Sequence, residues 1–432
     1  MSGRADEVRQ IARDARVAAR ALSSLPTSAR VAALERIADA LTAQQDALFA
    51  ANAIDLAAAE AMVAAGELSA AAASRLVLTP KKLASLADGI RQIAAMAEPL
   101  GRRLRATELA DGLELEQVTS PLGVLLVIFE SRPDALPQIA ALALRSGNAV
   151  LLKGGREARA SNAALHRLIT EALAPDVPAA VVGLLEARED VDALLGLDDV
   201  IDLVIPRGSN ALVRSIQART RIPVLGHADG VCHVYVDATV DLAMAKRVVR
   251  DAKCDYPSAC NAMETLLVHR SLAEDGRLTE LLAALDGVQL FAHPEQTAEL
   301  GLPPAVDLHH EYGELAATVA LVDGVDAAID HVHRWGSGHT EAVLTSDEAV
   351  AKHFLASVDS ACVFWNTSTR FADGFRFGLG AEVGVSTSRL HARGPVGVEG
   401  LLTTRWLLRG HGQTVGQTAT GEVVFTHRPL PL

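Results

Sequence analysis

Aromatic side chains are scarce in this chain, 3% of the residues against 50% hydrophobic overall, so the core must be filled by aliphatic residues, alanine and leucine above all. That is a globular composition and excludes a disordered one. A basic excess is also missing. Forty Lys and Arg face 53 Asp and Glu, a formal net charge of −13. With no basic run interleaved with aromatics, this excludes a nucleic-acid-binding surface, although a cleft can still gather arginines locally on an acidic protein. The four cysteines, at 232, 254, 260 and 362, form no Cys-x-x-Cys pair and no zinc-type spacing with histidine, which leaves reduced thiols as the expectation and no metal. No stretch approaches 18 uninterrupted apolar residues, which argues against a membrane span. Arg4, Arg9, Arg13 and Arg16 near the start are accompanied by Asp6, Glu7 and Asp14, acids that transit peptides avoid, so a cytoplasmic location is expected. A Gly-x-Gly-x-x-Gly fingerprint is absent as well. Gly378-Leu379-Gly380-Ala381-Glu382-Val383-Gly384 has the wrong spacing and no helical pattern after it, and reads as a loop.

What is present is a clear order of periodicities. From Arg4 to about Gly101 apolar residues recur every three or four positions, with breaks at Leu25-Pro26-Thr27 and Thr79-Pro80, which predicts a helical layer. Leu113 to Thr119 alternates like an exposed strand. Beyond Pro121 and Gly123, strand-like runs alternate with helical stretches: Val124 to Phe129, Ala149 to Leu152, Val181 to Leu185 and Val200 to Ile205, with helices over 158–173, 191–195 and 210–219. A second series includes His233 to Val236, Thr265 to Val268, Val319 to Val322, Ala342 to Thr345 and Ala361 to Trp365. Such alternation predicts parallel sheets with crossover helices, the doubly wound α/β arrangement, whose ligands sit at the carboxyl ends of the strands. The tail from Thr414 to His427 alternates weakly and is expected to pair with the strand near 113–119.

The most informative stretch runs from Asp251 to His269. A helix ends there, a Pro257-Ser258 turn follows, and the chain leaves as the strand from Thr265, so Cys260 rides on a bend between two rigid elements. A reactive thiol needs such partial exposure and polar neighbours. Asn261 beside it supplies an amide.

The segment Pro257-Ser258-Ala259-Cys260-Asn261-Ala262-Met263-Glu264-Thr265 resembles the nucleophile signature of the γ-glutamyl phosphate reductase (glutamate-5-semialdehyde dehydrogenase) branch of the aldehyde dehydrogenase superfamily. The similarity continues through Phe129-Glu130-Ser131-Arg132-Pro133, Ser146-Gly147-Asn148, Pro206-Arg207-Gly208-Ser209, Gly226-His227, Phe371 to Ser388 and His391-Ala392-Arg393-Gly394-Pro395, most of the chain. It resembles in particular the reductase half of bifunctional pyrroline-5-carboxylate synthase, without the kinase half. The resemblance implies two Rossmann-type α/β domains with a small β oligomerisation arm: 1–225 for NADP, with the helical layer; 226–395 for catalysis; and 396–432 as the return segment and arm.

It further implies Cys260 as nucleophile, with Asn261 beside it and the Cys260 backbone N–H and the Ser131 side chain as oxyanion donors. Cofactor positions carry over to Lys153, Arg156, Gly208, Ser209 and Glu311. Arg156 stands where NAD-using relatives have a glutamate for the ribose hydroxyls; a guanidinium there favours a 2′-phosphate, hence NADP(H). Arg132, Arg389, His391 and Arg393 are candidates for the substrate's charged groups. Where oxidising members carry a general-base glutamate, this chain reads Val224-Leu225-Gly226, which protects a thioester from water. The implied activity is NADPH-dependent reduction of L-glutamyl 5-phosphate in proline biosynthesis, by a homo-oligomer, with a glutamate kinase as a possible partner. An NAD-dependent dehydrogenase of another semialdehyde and a non-catalytic scaffold are the alternatives.

Overall fold

The computed structural model describes residues 2–187, 189–208, 210–226 and 229–432. Two all-parallel sheets organise it. The first has four strands in the order Val182–Leu185, Ala149–Lys153, Val124–Phe129, Leu203–Arg207. The second has six, Cys362–Trp365, Thr340–Leu344, Cys232–Val236, Met263–His269, Ala316–Val322 and Gln289–Ala292. Their strands are continuous apolar runs because helices cover both faces; all six residues of Val124–Phe129 are buried.

The helical layer, Ser2–Ser24, Thr27–Ala43, Gln45–Ala64, Ala70–Arg75 and Pro80–Ala95, packs on the first sheet. Thr79 caps the last of these, accepting from the Lys82 amide, with Pro80 pre-set at the first helical position. Gln45–Ala64 is long and apolar enough by composition to cross a membrane. Its polar residues nonetheless serve this protein's own interior. Asp55 accepts the Ala160 and Ser161 amides at 3.0 and 2.7 Å, satisfying the start of the helix Arg159–Leu173, and Asn52 bonds the Leu76 carbonyl and Ser161 Oγ.

A third, antiparallel sheet has the order Leu402–Arg409, Leu113–Pro121, Arg103–Ala110, Arg428–Pro429. The strand beside 113–121 is therefore Leu402–Arg409, and the segment expected to pair there instead contains a short helix, Val415–Thr420. Thr414 starts that helix with a reciprocal capping box to Gln417, local hydrogen bonding that outcompetes weak alternation. Ala381, Val383, Val396, Val398 and Leu401 are all buried in the first sheet's core, while Arg389 and Arg393 between them pair with Asp359 of the second layer.

Candidate active site

Cys260 sits in a tight turn closed by the Ala262 amide on the Ala259 carbonyl at 2.8 Å, with Cys260 and Asn261 in its two central positions. The main-chain N–H groups of those two residues donate to nothing among the described residues. Gly230 packs directly against the Cys260 backbone, where any Cβ would collide with the Cys260 carbonyl and Cα. The thiol is partly exposed and opens on a cleft of about 500 Å³ between the two sheets, lined among others by Ser131, Arg132, Gly208, Asn261 and Glu311.

Ser131 has a left-handed backbone, φ 50°, and both its amide and its hydroxyl are directed to Glu157 Oε1, at 2.5 and 3.1 Å. A hydroxyl has one proton to donate, so Ser131 Oγ is committed to that carboxylate and faces the cleft as an acceptor, not as the oxyanion donor expected of it. Asn261 is likewise engaged: Nδ2 donates to the Ala372 carbonyl at 2.9 Å, and Oδ1 accepts from Arg370. Its side chain holds Arg370, while the two turn amides remain for a developing oxyanion.

Sequence reasoning missed much of the cleft's charge. Arg75 arrives from the helical layer and donates to Ser258 Oγ at 3.4 Å, Arg207 ends a strand of the first sheet, and Arg370, also bonded to Asp255, comes from the second layer. Glu130 and Glu382 add carboxylates. Arg207 and Glu382 lie inside motif stretches already singled out, but nothing local says that they face Cys260. Arg75 carried no signal. Conversely, Arg389, His391 and Arg393 do not line the cleft. Asp359 holds both arginines, and His391 Nε2 contacts the Gly400 carbonyl at 3.0 Å. Of the expected substrate wall, Arg132 alone is there.

Glu311 Oε2 accepts the Gly230 amide at 3.0 Å, which ties this carboxylate to the residue packed under Cys260. Its loop is anchored from below, because the buried Glu264 carboxylate accepts the Tyr312 and Gly313 amides at 3.2 and 3.4 Å.

The expected cofactor residues divide between two places. Gly208 lines the Cys260 cleft, where a Cβ would meet Glu130 and Leu212. Ser209 lies outside the described residues, as does His227. Lys153 is buried at the end of its strand, donating to the Gly154 carbonyl at 2.6 Å, and burial lowers its pKa despite four surrounding carboxylates. Beyond it a cleft of about 390 Å³ is lined by Gly154, Gly155 and the guanidinium groups of Arg4, Arg156 and Arg159. A Cβ at Gly155 would strike the Glu157 carboxylate, so the backbone is bare where an anion could approach. Arg156 is exposed and paired with Glu67 at 2.5 Å.

The fold and this turn-mounted thiol define an aldehyde dehydrogenase. The family model "Aldehyde dehydrogenase family" matches residues 1–301, and the chain belongs to that family. Within it, the chain is 50% identical over 411 residues to gamma-glutamyl phosphate reductase of Synechococcus sp. (strain WH7803), 93% of each chain. The crystal structure of gamma-glutamyl phosphate reductase from Thermotoga maritima superposes with a TM-score of 0.89 at 34% identity, covering 94% of this chain and 99% of that one. Delta-1-pyrroline-5-carboxylate synthase of Solanum lycopersicum is 55% identical over 426 residues, 98% of this chain, which spans only 59% of that longer relative.

Proposed function

We propose that the protein catalyses the NADPH-dependent reduction of L-glutamyl 5-phosphate to L-glutamate 5-semialdehyde and phosphate, in proline biosynthesis from glutamate. The observation that carries the reading is Cys260, raised on a turn whose two central amides are unengaged among the described residues, in a cleft walled by four arginines. That is the equipment for capturing an acyl group from an anionic, already activated donor.

Attack of the Cys260 thiolate on the acyl carbon forms a C–S bond, breaks the bond to the phosphate oxygen and releases inorganic phosphate. The negative oxygen formed on the way is met by the Cys260 and Asn261 amides; such donors are typically worth about 3 to 4 kcal/mol each. Phosphate carries its charge off among Arg75, Arg132, Arg207 and Arg370, so no strong acid is needed. The nicotinamide, when bound, supplies the hydride that reduces the thioester. Glu311 would hold its ribose, Gly208 would let the pyrophosphate approach, and Lys153 with Arg156 would take the adenine-side ribose and its 2′-phosphate. Val224 stands where oxidising relatives carry a glutamate that activates water, just ahead of Leu225 and Gly226 on the cleft wall, and its lack of a carboxylate favours survival of the thioester.

Leu402–Arg409 is an edge strand with Trp406 and Leu408 exposed, a fit for self-association into a homo-oligomer. A cytoplasmic location and contact with a glutamate kinase that makes the acyl phosphate belong to the same proposal. The test is NADP⁺ reduction by the semialdehyde, with and without phosphate, for the wild type and Cys260→Ala. The expected rate requires phosphate and vanishes in the variant; a phosphate-independent rate, or an active variant, overturns the reading.

A further inference from the structure

The scheme above leaves the cleft carboxylates Glu130, Asp373 and Glu382 without a task, and Asp373 is already occupied by the Phe375 and Arg376 amides. Glu382 lines the cleft with Cys260 but differs in sign from the arginines around it. One of its oxygens, Oε2, accepts the Gly374 amide at 2.9 Å; the other receives no donor among the described residues. Two guanidinium groups, Arg207 and Arg132, are near enough to feel its charge, yet among the described residues it forms an ion pair with neither. Arg207 reaches past the carboxylate and donates instead to the main-chain carbonyl of Glu382, at 3.1 Å. Burial pushes the carboxyl above the ordinary value even with Arg207 opposing it. A largely buried carboxylate in this condition is short of a cation, and a ligand can supply one. Arg207, Glu382 and Cys260 line the same cleft, and the guanidinium feels the charge of both the acid and the sulfur.

We propose that Glu382 receives the α-ammonium group of the substrate, so that the cleft selects 2-amino acyl compounds over analogues that lack the amino group. This rests on the proposed reaction and deepens it: arginines take the anionic ends of the molecule and Glu382 the cationic one. A purely structural duty, shaping the turn through Gly374, would be preserved by Glu382→Gln, which keeps an oxygen for that amide and loses only the charge.

The experiment compares kcat/KM for glutamate 5-semialdehyde and for 5-oxopentanoate, its des-amino analogue, with phosphate and NADP⁺. The wild type is expected to prefer the amino compound. Glu382→Gln is expected to cut that preference about 10- to 100-fold, the worth of a charge-assisted hydrogen bond, and Glu382→Asp to restore part of it. Ring closure of the amino aldehyde removes the same fraction of substrate for every variant and cancels from the comparison. Equal losses on both substrates, or none on either, overturn the proposal. A second measurement needs no turnover: L-glutamate should protect Cys260 from iodoacetamide better than glutarate does in the wild type, and not in Glu382→Gln. If neither aldehyde is turned over but this protection pattern holds, the reaction is wrong and the ammonium site stands. If glutarate protects the wild type as well as glutamate, the site is wrong whatever the reaction.

Discussion

Lys253 Nζ lies 2.7 Å from Glu264 Oε2 with both side chains fully buried, and the same carboxylate receives the Tyr312 and Gly313 amides beside Glu311. Lys253 closes the helix before Cys260, and Glu264 opens the strand after it. One ion pair therefore fastens both supports of the Cys260 turn to the loop that carries Glu311.

Removing Lys253 leaves that carboxylate buried without its cation. Lys253→Met should lose about 3 to 5 kcal/mol of stability, read from urea unfolding, and raise the KM for the cofactor more than it lowers kcat. Burial already holds Glu264 up, at about 7, against the opposing Lys253. A folded-state pKa above the unfolded one favours folding only at low pH, and that benefit is lost as pH rises toward 7. Without the ammonium the folded value climbs further, so the variant's deficit should be larger at pH 8 than at pH 5.

Thiol reactivity should single out the cleft. Burial pushes Cys362 up to about 11 and Cys232 well above its ordinary value, and neither is exposed. Mass spectrometry after brief iodoacetamide treatment at pH 8 should find Cys260 modified and both of these untouched. Labelling of Cys362 should grow as pH approaches its raised value, since only the thiolate reacts. Early modification of Cys232 would contradict the structure.

Cofactor choice should respond at Arg156. Arg156→Glu is expected to raise the KM for NADPH by roughly 10-fold or more, the loss of a charge-assisted contact, while sparing NADH. Glu67→Gln releases Arg156 from its surface ion pair and should lower the KM for NADPH a few-fold. Parallel changes for both cofactors would show that Arg156 does not read the 2′-phosphate.

Gly230→Ala tests the packing beneath Cys260. The added methyl must displace the Cys260 backbone, because the atoms it meets are main chain and cannot rotate away. Overpacking of this kind costs typically about 1 to 3 kcal/mol. Both kcat and the Cys260 alkylation rate should change, with cofactor affinity altered less.

What the sequence determined by itself was whatever depends on neighbours along the chain. The aliphatic runs such as Val124 to Phe129, separated by helical periods, specify parallel strands because burial on both faces selects unbroken apolar stretches, and the Pro257-Ser258 bend mounts Cys260 between a helix and a strand. Tertiary structure alone decided what surrounds the sulfur. Arg75, Arg207 and the neighbouring Arg370 and Glu382 come from three segments far apart in sequence, and each could as well have ended in a surface ion pair, as Arg389 and Arg393 do with Asp359. It also decided which strand lies beside 113–121, since Leu402–Arg409 wins that edge with eight paired positions while Thr414 spends its hydrogen bonds on a local cap. Periodicity is a property of short stretches, whereas a charge acquires its role only from what the fold brings within a few ångströms of it.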